Sequence, residues 1–194
     1  MAEPFPTSLH AALAALAEWI ATERIPATII GGIAVSVLGR PRLTRDIDAL
    51  AIVSEEQWGG LVESAARFGI IPRLEEAVRF AQRSRVLLLR HAPSAIDLDI
   101  TFGGLPFEQS VVEKSSVHDV GGLQVRLPRV EDLLVMKAVA RRPKDLEDIR
   151  GLLAANPDVN VSGARRWIGE FATAMSMPDI LEEFDRLVAQ QTSG

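Results

Sequence analysis

The chain has 194 residues, 47% of them hydrophobic, no cysteine and a formal net charge of −5. That is enough apolar material for one globular domain with at most a small appendage. It excludes disulfides and thiolate metal centres, and it weighs against a general nucleic-acid binder, which would be basic overall.

The N-terminal stretch "MAEPFPTSLHAALAALAEWIATER" repeats apolar residues at helical spacing from Leu9 to Ile20, with Thr7 or Ser8 placed to cap the helix. It has no basic leader, and no run in the chain reaches membrane-spanning length, so a cytoplasmic protein without a membrane partner is expected. Ala27–Ile30 reads as a short strand, Gly31 and Gly32 as a turn, and Ile33–Leu38 as a short helix. A loop carrying Arg40, Arg42 and Arg45 leads into a second strand over Ile47–Val53. Ser54 can cap a helix to about Phe68, with Gln57 at the capping-box position. Arg73–Arg83 reads as helical. Arg85–Arg90 and Ala95–Thr101 read as strands joined by the turn "HAPS", and Gln124–Leu127 as a further strand. From Pro128 onward the pattern is helical only. Strands and helices followed by helices alone predict an α+β fold. The expected division is an α/β core over 1–127, with its N-terminal helix, and a helical C-terminal part over 128–194.

Residues two apart on a strand share a face, so Asp46 and Asp48 project together, as do Asp97 and Asp99 of "AIDLDIT". Like charges held so close are stable as anions mainly when a cation joins them. A hard divalent ion such as Mg²⁺ prefers such oxygen ligands together with substrate phosphates. One such pair would read as a turn or a solvated strand end; two pairs in apolar strands favour a site. Either Asp97 or Asp99 can supply the third carboxylate. Upstream, Gly31 and Gly32 lack Cβ atoms where a helix begins, and backbone N–H groups there can approach a phosphate.

The segment "GGIAVSVLGRPRLTRDIDAL" resembles the signature of the polymerase-β-like nucleotidyltransferase superfamily: a glycine-rich turn opening a helix, a spacer, an apolar-flanked Asp-x-Asp, and a third acid on a later strand. It is similar to the aminoglycoside and lincosamide nucleotidyltransferases and to the AbiEii/AbiGii-type toxins, whose Lys-bearing helix and Asp-rich helix resemble "EDLLVMKAVARRPKDLEDIRGLL" here. The resemblance implies a nucleotidyltransferase-type mixed sheet flanked by helices. It implies Asp46, Asp48 and Asp97 as metal ligands and catalytic acids, with Asp99 the alternative third acid beside the substrate. Gly31 and Gly32 take the phosphate-binding turn, and Lys137 contacts the triphosphate, with Asp148 beside it; apart from the resemblance, Arg45 is the loop arginine that adjoins Asp46 and is placed to neutralise phosphate charge. Many members have Gly-Ser where this chain has Gly-Gly, which removes one hydroxyl contact to phosphate. From the helix pattern alone, Lys137 is as readily a solvated lysine, and Asp145 a partner of nearby arginines.

The implied activity is transfer of a nucleoside monophosphate from a nucleoside triphosphate to an acceptor hydroxyl, on an RNA end such as that of tRNA or on a small molecule. It would use one or two Mg²⁺ ions, with Mn²⁺ as a substitute. A type IV toxin of this kind implies an antitoxin partner. The rival is a non-catalytic nucleotide-binding or interaction module on the same fold.

Overall fold

The structure, a computed structural model, describes residues 5–192. It forms two compact units. One holds the chain up to Ile33 together with Leu43–Pro128; the other holds Ala34–Arg42 together with the chain from Arg129 onward.

In the first unit, helix α1 (Thr7–Thr22) buries Leu9, Leu13, Leu16 and Trp19 and packs on strands β2 (Asp46–Ala51) and β5 (Ile96–Phe102). Its N-cap position is Pro6, and no side chain caps it. The expected Thr7 or Ser8 cap is thus corrected: both residues already lie in the first turn. Strand β1 (Ala27–Ile30) leads directly into α2 (Gly31–Leu38). After β2 the chain makes a 3₁₀ turn over Glu55–Gln57, and α3 (Trp58–Ala65) follows. The Ser54 hydroxyl donates to Gln57 Oε1 instead of capping a backbone N–H. Strand β3 (Ile70–Pro72), helix α4 (Ala77–Ser84), strand β4 (Val86–His91), helix α5 (Pro106–Glu113) and the hairpin β6 (Ser116–Val120)–β7 (Leu123–Leu127) complete this unit. Helix α4 is shorter than expected and leaves Arg73 outside it. Helix α5 was not apparent from the sequence; Glu108 Oε2 starts it by accepting from the backbone N–H groups of Gly104 and Leu105.

The main sheet has the order β1-β2-β5-β4-β3. β2 and β5 run parallel, and the other neighbours run antiparallel. One face carries Ile47, Ala49, Leu98, Ile100, Leu87 and Leu89, all buried. Trp58 stacks on Phe102 with ring centroids 4.1 Å apart, an arrangement that adds to the area the two rings bury.

The second unit consists of α6 (Val130–Ala140), α7 (Pro143–Ala155), α8 (Val161–Ala174) and α9 (Asp179–Thr192). Leu133, Leu134, Ile149, Leu152, Ile168 and Phe184 form its interior. The stretch Ala34–Arg42 belongs here as well. Asn156 Nδ2 donates to the Leu38 carbonyl at 2.6 Å, and Gly39 lies against Leu152. Among the described residues, no helix is long and apolar enough to cross a membrane.

Candidate active site

The parallel pairing of β2 with β5 sets Asp46 opposite Asp97 and Asp48 opposite Asp99. In-register neighbours on adjacent strands share a face, so the two Asp-x-Asp pairs form one four-carboxylate surface opposite the buried core face. The register continues across the sheet. Arg90 of β4 lies opposite Asp97, and Leu88 opposite Asp99. Arg73, just past β3, donates its backbone N–H to the Leu88 carbonyl. One row therefore reads Asp48, Asp99, Leu88, Arg73; the other reads Asp46, Asp97, Arg90, Ile71.

Both arginines reach the acids. Arg90 Nε donates to Asp97 Oδ1 at 2.6 Å, and Arg73 Nη1 to Asp97 Oδ2 at 2.8 Å. Arg73 Nη2 also bonds to Asp99 Oδ1. The consequences differ for the two carboxyls. The hydrogen bond from Arg90, helped by the charges of both arginines, holds Asp97 below the usual carboxylate range. Burial raises Asp99, and the nearby charges of Asp48, Asp46 and Asp97 push the same way against the pull of Arg73. The sequence asks for a cation among these acids, and the structure seats the Arg73 guanidinium there. Among the described residues no three carboxylate or imidazole side chains close into a metal-holding group. The donors are nonetheless all carboxylate oxygens on one face, the ligand type that Mg²⁺ takes.

Gly31 opens α2 with φ of +61°. A Cβ built on it would fall 1.9 Å from Asp48 Oδ2. The glycine is thus required twice: for a left-handed backbone that costs other residues about 1–2 kcal/mol, and because the Asp48 carboxylate fills the space a side chain would take. Gly32 is buried behind it, and Arg45 is exposed on the loop before β2. Gly31→Ala is expected to displace Asp48, lowering the melting temperature by several degrees and nucleotidyl transfer by at least about a hundredfold. Parallel melts and label-transfer assays would check this; wild-type behaviour in both would remove Gly31 from the site.

The remaining candidates lie in the helical unit. Lys137 on α6 is 5% exposed. Its Nζ stands 3.0 Å from Asp145 Oδ1 and 2.8 Å from Asp148 Oδ2, both on α7 and both buried. Three residues apart on a helix, these acids present to one side. Arg42 Nε meets Asp148 Oδ1 at 2.8 Å. Asp145 Oδ2 accepts from the Arg142 backbone N–H and from its Nε, starting α7. Burial alone would raise the Asp145 carboxyl, but the bonds from Arg142 and Lys137 outweigh it and hold it low. Lys137 is thus not solvated, and Asp145 serves both Arg142 and Lys137.

A mixed sheet with two paired-carboxylate strands and a glycine-led helix matches what the resemblance to the nucleotidyltransferases implies. Solved structures agree in fold. The antibiotic-resistance factor ANT(2'')-Ia in solution superimposes with a TM-score of 0.58 at 16% identity, over 89% of this chain and 94% of that one. The crystal structure of ANT(2'')-Ia with adenylyl-2''-tobramycin gives 0.59 at 17% identity, over 88% and 99%. An antigenic nucleotidyltransferase-like protein from Paracoccidioides brasiliensis gives 0.53 at 16%, over 93% and 94%. No curated protein sequence matches. The profile of the AbiEii nucleotidyl transferase toxins of type IV toxin–antitoxin systems matches residues 14–187. The chain belongs to that family and is a nucleotidyltransferase.

Proposed function

We propose that the protein transfers a nucleoside monophosphate from a nucleoside triphosphate to an acceptor hydroxyl, releasing pyrophosphate, at the carboxylate face of the five-stranded sheet. The observation that carries this reading is the register placing Asp46, Asp48, Asp97 and Asp99 on one face, with Asp48 packed against the first residue of α2. Asp46, Asp48 and Asp99 would hold Mg²⁺, or Mn²⁺ in its place. When bound, the ion neutralises triphosphate charge and lowers the barrier to in-line displacement. Asp99 takes the third-carboxylate role in preference to Asp97, because it lies opposite Asp48 in the register while Asp97 is engaged by both Arg73 and Arg90. Asp97 stays ionised and holds Arg90 in place. The backbone N–H groups at the start of α2 face phosphate oxygens, and Arg45 adds positive charge on the preceding loop. Lys137 and Asp148 are assigned to the buried network of the helical unit.

As a member of a toxin family the protein would be held in check by an antitoxin protein, and its acceptor would be an RNA end or a small molecule. The test is incubation with labelled nucleoside triphosphates and Mg²⁺ in the presence of total RNA, cell protein or aminoglycosides. Label is expected in the RNA fraction or on a small acceptor, with pyrophosphate released. Nucleotide binding without pyrophosphate release in any fraction would replace the enzyme by a sensing module.

A further inference from the structure

Arg73 occupies the carboxylate face without belonging to either acidic strand. It follows the three-residue edge strand β3, and its side chain passes over Leu88 to reach two carboxylates on β5. Two strand spacings are roughly 9–10 Å, a span that needs a long side chain nearly extended. Both terminal nitrogens are engaged, while Nε is buried with no hydrogen-bond partner. A guanidinium with one buried donor unmet is held by charge rather than by full satisfaction. The three residues after it, Leu74–Glu76, are exposed and lie outside helix and strand. Arg90 differs. It is fixed inside β4 and pairs with Asp97 alone among the four acids.

From this we propose that Arg73 is a built-in counter-cation of the carboxylate face, seated on Asp97 and Asp99 when nucleotide and metal are absent and exchanged for the divalent ion when they bind. The inference rests on the metal-dependent reading above. A guanidinium and a divalent ion cannot both draw on Asp99 without strong mutual repulsion. The seated arginine therefore lowers the apparent affinity for the ion by the fraction of molecules in which it is seated. It also spares the metal-free protein the repulsion of four facing carboxylates. Metal would thus bind usefully only with the triphosphate, whose own charge helps to displace the arginine.

The test is Mn²⁺ titration followed by electron paramagnetic resonance, without nucleotide, on the full chain as wild type, Arg73→Met, Arg73→Lys and Arg90→Met. Melting temperatures are recorded with and without the ion. Arg73→Met is expected to bind Mn²⁺ about tenfold more tightly than wild type, to melt lower without metal, and to recover when Mn²⁺ is added. Arg73→Lys, which keeps the charge but cannot span both carboxylates, is expected to fall between them, and it carries the test should the methionine variant not fold. Arg90→Met is expected to tighten binding by less than about threefold. Unchanged or weaker binding in both Arg73 variants, beside clear binding by wild type, would overturn the proposal and leave the metal reading standing. Equal tightening in Arg90→Met would also overturn it, since a general field would then explain the effect. Absence of Mn²⁺ binding in every protein would overturn the proposal, and its absence again with a nucleoside triphosphate added would overturn the metal reading as well.

Discussion

Asp48→Asn is expected to separate stability from chemistry. The isosteric side chain keeps the fit against Gly31, where Asp48 Oδ2 already fills the space of a Cβ. It removes one negative charge from a face that gathers four. Repulsion in the metal-free protein falls, so the melting temperature should hold or rise. The same change weakens the candidate metal site and its hold on the triphosphate. Transfer should therefore drop by about a thousandfold or more, because charge neutralisation supplies much of the barrier reduction. The measurements are thermal unfolding without metal and label transfer from a nucleoside triphosphate. A clear loss of metal-free stability with labelling unchanged would mean that the carboxylates are structural.

Lys137→Met should do the opposite. The ammonium lies between Asp145 and Asp148 inside the helical unit, and all three side chains are buried. Methionine matches the length of the lysine stem but leaves two carboxylates short of a cation in a low-dielectric interior. Removing one partner of such a network costs about 3–5 kcal/mol. Urea unfolding should show the loss, and the double variant Lys137→Met with Asp148→Asn should regain part of it, since one uncompensated charge is gone. Unchanged stability with a large fall in triphosphate affinity would instead return Lys137 to the triphosphate-binding role that the resemblance implies.

Much of this architecture is legible in the sequence because its signals are local. The alternation in "RDIDAL" and "AIDLDIT" puts the acids on one face of each strand, and the structure keeps that phase. The helical tail also falls where spacing sets it, whereas the expected Gly-Gly turn is absent: both glycines are already the first residues of α2, which follows β1 directly. Other features depend on partners far along the chain. Strand β3 is three residues long and ends in proline, too short for a periodic signal, and it exists because β4 pairs with it. Arg73 reads as the start of a helix; its position beside Asp99 follows from the order of strands across the sheet, which no spacing encodes. Asp97 and Asp99 are equivalent by alternation and are told apart by Arg90, which lies opposite Asp97 on β4. The stretch Ala34–Arg42 joins the helical unit through contacts of Leu38, Gly39 and Arg42 with α7 and its end, more than a hundred positions along the chain.

The parallel seam between β2 and β5 has a kinetic consequence. β4 and β5 can pair early through their short turn, and β1 and β2 are linked by α2 and one loop. Joining these two halves requires closing the chain over the whole stretch from β2 to β5, and such long-range closure is the slow part of folding. Each half carries one Asp-x-Asp pair. A chain emerging from the ribosome therefore holds the first pair for some fifty residues of synthesis before the second is made. The four-carboxylate face is therefore complete only once the centre of the sheet has closed.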